Sequence, residues 1–90
     1  MKNKETEKLK IYFTESQFIK DTITRENFDL HEEWGVWTWD GNIYVWKRLS
    51  KKEIIRVAIH EIVEYVLVVK FKIRRLYAHR IANLAEKIIL

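Results

Sequence analysis

The chain reads as a small α+β domain: an antiparallel sheet built on a Trp-rich β-hairpin, packed on two long C-terminal helices that form a hairpin of their own. Three observations lead there. The stretch W-G-V-W-T-W-D-G-N-I-Y-V-W-K sets Asp-Gly between two runs rich in β-branched and aromatic residues, a strong short hairpin signal. Beyond Gly41 the chain contains no glycine and no proline, and its apolar residues recur with a helical period. Ninety residues suffice for one modest core and are too few for two, so residues 1–90 form a single domain.

Residues 1–8 are a charged lead-in, expected to be flexible. Residues 9–13 can form a short strand with Ile11 and Phe13 on one face and Lys10 and Tyr12 on the other. Thr14 as N-cap and Gln17 three residues on resemble a capping box, which predicts a helix or turn over 16–23 that buries Phe18, Ile19 and Ile23. Residues 24–33 lack a period and read as a loop carrying Phe28 and Leu30 inward.

In the hairpin the turn centres on Asp40-Gly41 or on Gly41-Asn42. Both registers put Trp37, Trp39, Tyr44 and Trp46 on one face and Val36, Thr38, Ile43 and Val45 on the other. Four aromatics on one face suit a ligand platform, but cross-strand core packing is the expected use. Ser50 with Glu53 forms a capping box for a helix over 51–69, and a second helix spans 73–89 after a break near Phe71-Lys72.

On the first long helix, Ile54, Ile55, Ala58, Ile59, Ile62, Tyr65, Val66 and Val69 form a broad apolar arc. Lys52, Arg56 and Lys70 mark a narrow solvated sector. His60 and Glu64 belong to neither; they lie between Leu67 on one side and Val57 and Val68 on the other. A carboxylate placed there needs a partner, because burying it alone costs several kcal/mol or neutralises it. On the second helix Ile73, Tyr77, Ile81, Leu84 and Ile88 form the main apolar ridge, and Ala78, Ala82 and Ala85 a smooth flank that admits another helix. His79 and Glu86, seven apart, share the edge of that flank, with Asn83 nearby. An antiparallel helix pair would bring His79 to His60 and Glu64.

The absence of cysteine restricts any metal to His and carboxylate ligands, and the histidines are His31, His60 and His79. His31 reads as a loop residue without a metal role. His60, Glu64 and His79 as ligands leave a fourth position for water, the arrangement of catalytic zinc. Glu61, beside the first ligand and turned ~100° from it, fits the general base that takes a proton from that water. Glu86 and Asn83 would lie behind the ligands, fixing the His79 tautomer or a substrate group. Ile43, Tyr44 and Val45, as a sheet edge, could align an extended peptide by strand addition.

H-E-I-V-E followed by A-H-R-I-A-N-L-A-E resembles the H-E-x-x-E…A-H-x-x-A-x-x-x-E pattern of small metallopeptidase-like proteins from phages and archaeal viruses or their hosts. The layout of hairpin then H-E helix is similar to minimal gluzincin-type zinc metallopeptidases. The resemblance covers residues 42–86. It implies a mononuclear Zn2+ site with His60, Glu64 and His79 as ligands and Glu61 as base, acting on a peptide or protein substrate. The second histidine of H-E-x-x-H is here a glutamate, and a carboxylate ligand weakens the acidifying power of zinc on water, so an inactive or latent form also fits.

Two other classes compete. A net charge of +4, from 17 basic and 13 acidic residues, together with Lys70, Lys72, Arg74, Arg75 and Arg80 at the junction of the helices, suits a small basic nucleic-acid-binding protein. Against it, the junction lacks glycine and the arginines scatter around the wheel. A structural or partner-binding protein, including a homodimer, would use the Trp face around a polar cluster without catalysis. The longest apolar run, residues 65–69, is far short of the ~20 needed to cross a bilayer, and no signal core opens the chain, which predicts a soluble cytoplasmic protein without membrane contact. Abundant Lys, Glu and Ile with one Gln and no Cys fit a hyperthermophile or its virus, and the resemblance adds an archaeal or viral, thermophilic source.

Overall fold

The computed structural model describes residues 9–89, so the charged lead-in lies outside the described residues. The architecture is mixed α+β. In chain order it comprises β1 (Lys10–Thr14), β2 (Phe18–Lys20), β3 (Asn27–Asp29), the single-turn α1 (Leu30–Glu33), β4 (Gly35–Trp37), β5 (Asn42–Trp46), α2 (Lys51–Tyr65) and α3 (Arg75–Ile89).

β4 and β5 form the expected antiparallel hairpin, with Trp37 opposite Ile43 and Val36 opposite Tyr44. Neither expected turn is present. The Gly41 N–H donates to the Thr38 carbonyl (3.0 Å), the Thr38 N–H donates to the Asn42 carbonyl (2.9 Å), and Gly41 has φ of 91°. This is a three-residue loop whose last residue takes the left-handed conformation, which glycine adopts without a Cβ penalty. The extra loop residue shifts the pairing by one, and in a period-2 structure a one-residue shift exchanges faces. The four aromatics therefore do not share a face. Trp37 joins Ile43 and Val45 on the helix side, in a core with Tyr65, Val68 and Ala78. Tyr44 and Trp46 join Val36 on the other side, over Ile19 and Leu30. Trp39 sits in the loop, edge-on to Trp37.

The sheet order is β1-β5-β4, and β1 pairs with β5 in parallel, Ile11 beside Ile43 and Phe13 beside Val45. The larger sheet is thus mixed rather than wholly antiparallel. Instead of a helix over 16–23, the chain forms a second, two-stranded antiparallel sheet, β2 with β3. Thr14 ends a strand, and its hydroxyl accepts from the Ser16 N–H two residues on, so no helix is nucleated. Ile19 is buried and its neighbour Phe18 is exposed, because in β2 alternate side chains face opposite sides, and Ile23 is exposed in the turn that follows the strand. The interval 24–33 carries β3 and α1 and does turn Leu30 fully inward. Buried Asp21 ties the two sheets together: its carboxylate accepts from the Ile23 N–H (2.8 Å), the Thr24 N–H (3.3 Å) and the Trp39 N–H (2.8 Å).

The Ser50/Glu53 capping box opens α2 as expected, each side chain accepting from the other residue's N–H. The helix continues into a π-helical turn (Val66–Lys70) and stops where Lys72 takes φ of 60°, so the break falls at the expected place. α3 returns antiparallel to α2, because His60 meets Glu86 and Glu64 meets His79. Ala78 and Ala82 are fully buried in the contact, where small side chains let the backbones approach. The apolar ridge of α3 faces the opposite way: Tyr77, Ile81, Leu84 and Ile88 are exposed.

Candidate metal centre

Gly35 decides how close the sheet comes to α2. A Cβ on Gly35 would lie 2.4 Å from Val57 Cγ1 and 3.2 Å from Glu61 Cγ, so only glycine permits this approach. Beside this contact lies a cavity of about 650 Å³ between β4 and the two long helices, lined by His60, Glu61, Glu64, Arg75, His79 and Glu86 among others.

His60, Glu64 and His79 converge on one point and could hold a metal ion. His79 Nδ1 lies 3.0 Å from Glu64 Oε2 and 3.2 Å from His60 Nε2, and His60 Nε2 lies 3.8 Å from Glu64 Oε2. Tetrahedral coordination with bonds near 2.0–2.1 Å spaces its ligand atoms about 3.3 Å apart. The three distances bracket that value.

The surrounding hydrogen bonds prepare the lone pairs. The His60 Nδ1–H donates to Glu86 Oε2 at 2.7 Å, which leaves Nε2 as the lone-pair nitrogen facing the cluster. The Trp37 indole N–H donates to Glu64 Oε1 at 2.9 Å, leaving Oε2 for the cluster. At most one proton, on His79 Nδ1, is available to be shared by His60 Nε2 and Glu64 Oε2 while both histidines are neutral. A cation satisfies all three atoms at once. His60 and Glu64 are mostly buried, whereas the His79 side chain is 56% exposed, so the cluster opens to solvent on the α3 side.

Glu61 lines the same cavity and is buried, and among the described residues nothing donates a hydrogen bond to its carboxylate. Desolvation is the largest cause that pushes its pKa up to about 8, and the negative charges of Glu64, Glu33 and Glu86 add to it, while Arg75 opposes. A carboxyl group held near neutrality beside candidate metal ligands can accept and return a proton.

The other expected site residues are placed differently. Glu86 bonds His60 rather than His79, because seven residues carry it ~10 Å along α3, past the four-residue step between His60 and Glu64. Asn83 is exposed and is not part of the cavity lining. Ile43, Tyr44 and Val45 cannot act as a substrate edge: β5 is the central strand, with β1 on one side and β4 on the other, and Ile43 and Val45 are fully buried. The edge beside the cavity is β4. His31 lies elsewhere, edge-on to Trp46.

Three contributors escaped the sequence reading. Trp37 orients Glu64, Gly35 sets the helix–sheet spacing, and Arg75 lies over the Trp37 ring at 4.9 Å. A glycine inside a strand flanked by tryptophans signals close backbone approach. Arg75 stands four residues before His79, on the same helical face. Trp37 gave no such signal, because both faces of the hairpin are apolar and the three-residue loop that turns it to the helix side is not marked locally.

Comparison of the chain with protein-family models, curated proteins and solved structures returned no match.

Proposed function

We propose that this chain is a zinc-dependent hydrolase of minimal metallopeptidase type. The observation that carries the reading is the spacing of His60 Nε2, Glu64 Oε2 and His79 Nδ1, matched to a tetrahedral ion, with Glu61 beside them in one cavity. Two nitrogens and one carboxylate oxygen are a zinc-type donor set, and the solvent-facing side of His79 leaves room for a fourth ligand. Zinc bound there would supply a Lewis acid and an acidified water. The chain's own residues do the rest. Glu86 and Trp37 hold the His60 ring and the Glu64 carboxylate in their ligating orientations. Glu61 takes the proton of the attacking water and returns it to the leaving amine. Burial of Glu61 against Gly35 limits the water that can solvate its charge.

The test begins with metal content. Purified protein supplied with zinc is expected to retain one equivalent by elemental analysis, and His60→Ala or Glu64→Gln to lose it. Glu61→Gln should keep the metal and lose cleavage of casein or a peptide library. Absence of stoichiometric metal would sink the reading. Retained zinc with every peptide left intact would assign the cluster a non-catalytic role.

A further inference from the structure

The cavity holds a cation that the hydrolytic scheme above leaves unused. Arg75 begins α3, and its guanidinium lies 4.9 Å from the centre of the Trp37 ring. A planar cation stacked on an indole keeps its in-plane N–H donors directed outward. Among the described residues no carboxylate lies within ion-pair distance of Arg75; Glu61 feels its charge without pairing. The other arginine lining the cavity, Arg56, is 3.9 Å from Glu86 and so already faces an acid. Arg75 is thus a donor fork in the cavity wall, stacked on Trp37 and with no acceptor among the described residues.

Its position relative to the ligand cluster sets a length. Arg75 and His79 are one helical turn apart, which separates their Cβ atoms by about 5–6 Å. An extended peptide covers about 3.3–3.6 Å per residue, so one or two residues span that interval. Trp37 links the two ends, its indole N–H bonded to Glu64 and its ring face under Arg75.

We propose that Arg75 reads the free C-terminal carboxylate of a peptide whose reacting carbonyl, one or two residues upstream, meets the His60/Glu64/His79 cluster. The substrate class is then short peptides or chain ends trimmed from the carboxyl terminus, not internal bonds of long chains. Arg75 acts as the specificity-determining residue, through a charge-assisted, two-pronged hydrogen bond to the carboxylate. This assignment rests on the metal site proposed above.

The experiment separates the two claims. Zinc is first titrated into the full chain without peptide. Mercaptoacetyl-phenylalanine and its C-terminal amide are then bound to the zinc-loaded protein; the thiol anchors to metal, and the cysteine-free chain cannot form a mixed disulfide with it. The acid is expected to bind about tenfold or more tightly than the amide. Arg75→Gln, a change at an exposed residue, should erase that preference while the zinc-loaded protein still binds the amide through its thiol, and Arg75→Lys should restore part of it. Mercaptoacetyl-aspartate amide, with its carboxylate on the side chain, should bind less tightly than the C-terminal acid. Equal binding of acid and amide, a preference that survives Arg75→Gln, or an aspartate amide that matches the acid would each overturn the role of Arg75 while leaving the metal site standing. A chain that takes up no zinc overturns both.

Discussion

The two long helices pack against each other yet distribute polarity in opposite ways. α2 buries Glu61 completely enough to alter its chemistry and keeps His60 and Glu64 mostly covered, whereas α3 leaves Leu76, Tyr77, Ile81, Leu84 and Ile88 exposed. Hydrophobicity alone would place them the other way. The difference follows from contact geometry: α2 packs against both the sheet and α3, which covers its His60–Glu64 side, while α3 touches its neighbour through an alanine flank that permits close approach. Close approach brings His79 and Glu86 to the residues of α2, and it does so by turning the apolar ridge of α3 outward. A cluster of mutually bonded polar side chains thus goes with burial of the alanine face of α3 rather than its apolar ridge.

The comparison breaks most sharply at Glu61. In the metal-free fold its pKa is raised from 4.5 to about 8, so between those pH values the folded chain holds a proton that the unfolded chain has lost. This carboxyl therefore lowers stability as pH rises through that window, by a total on the order of 5 kcal/mol, and adds no slope on either side. Glu61→Gln should flatten the profile, stabilising the protein at pH 9 and leaving it nearly unchanged at pH 4, as read by chemical denaturation across pH. A wild-type profile that rises with pH over this range would refute the burial of an uncompensated carboxylate on α2.

A second break targets the flank that makes the approach possible. Ala82→Leu inserts volume where no surface is exposed, and overpacking of this kind costs about 1–3 kcal/mol. The same change should weaken metal uptake, because His79 and Glu86 ride on the displaced helix.

Trp37→Phe sharpens the comparison from the sheet side. It keeps an aromatic ring in the core but removes the indole N–H that holds Glu64 Oε1. Metal affinity is expected to drop about tenfold, the lower end of the usual effect of losing a residue behind a metal ligand, with a smaller change in folding stability. Competition with a chromophoric chelator measures it.

The smallest effect is expected on the exposed ridge. Leu84→Lys, at a residue 59% exposed, should shift the unfolding free energy of the single chain by no more than about 0.5 kcal/mol. A loss several times larger in thermal or denaturant unfolding would mean that the ridge is covered in solution.

Much of this molecule was readable residue by residue. The Ser50/Glu53 capping box, the two helices, the break at Lys72 and the existence of the hairpin all rest on local rules, in which the deciding interactions lie within a few positions along the chain. The candidate ligands were legible for a similar reason: His60 and Glu64 are one helical turn apart, and an antiparallel return leaves His79 few places to go. Where local signals competed, reading failed. Thr14 with Gln17 matches a helix start in sequence, but the Thr14 hydroxyl is spent on Ser16 and the segment joins a sheet instead.

Tertiary structure alone decided the rest. A three-residue loop closed by Gly41 changed the hairpin register by one and sent Trp37 to the helix side, where it became the partner of Glu64; sequence period could not choose, since both faces of the hairpin are apolar. β1 pairing in parallel made β5 central, which removed Ile43, Tyr44 and Val45 from any sheet edge. Pairing of distant strands is settled by packing across the whole molecule, not by any stretch of the chain. The sequence by itself determined which residues can bind a metal; only the packing of α2 between sheet and α3 determined that their lone pairs meet at one point, because that requires a glycine on one side and alanines on the other at contact distance.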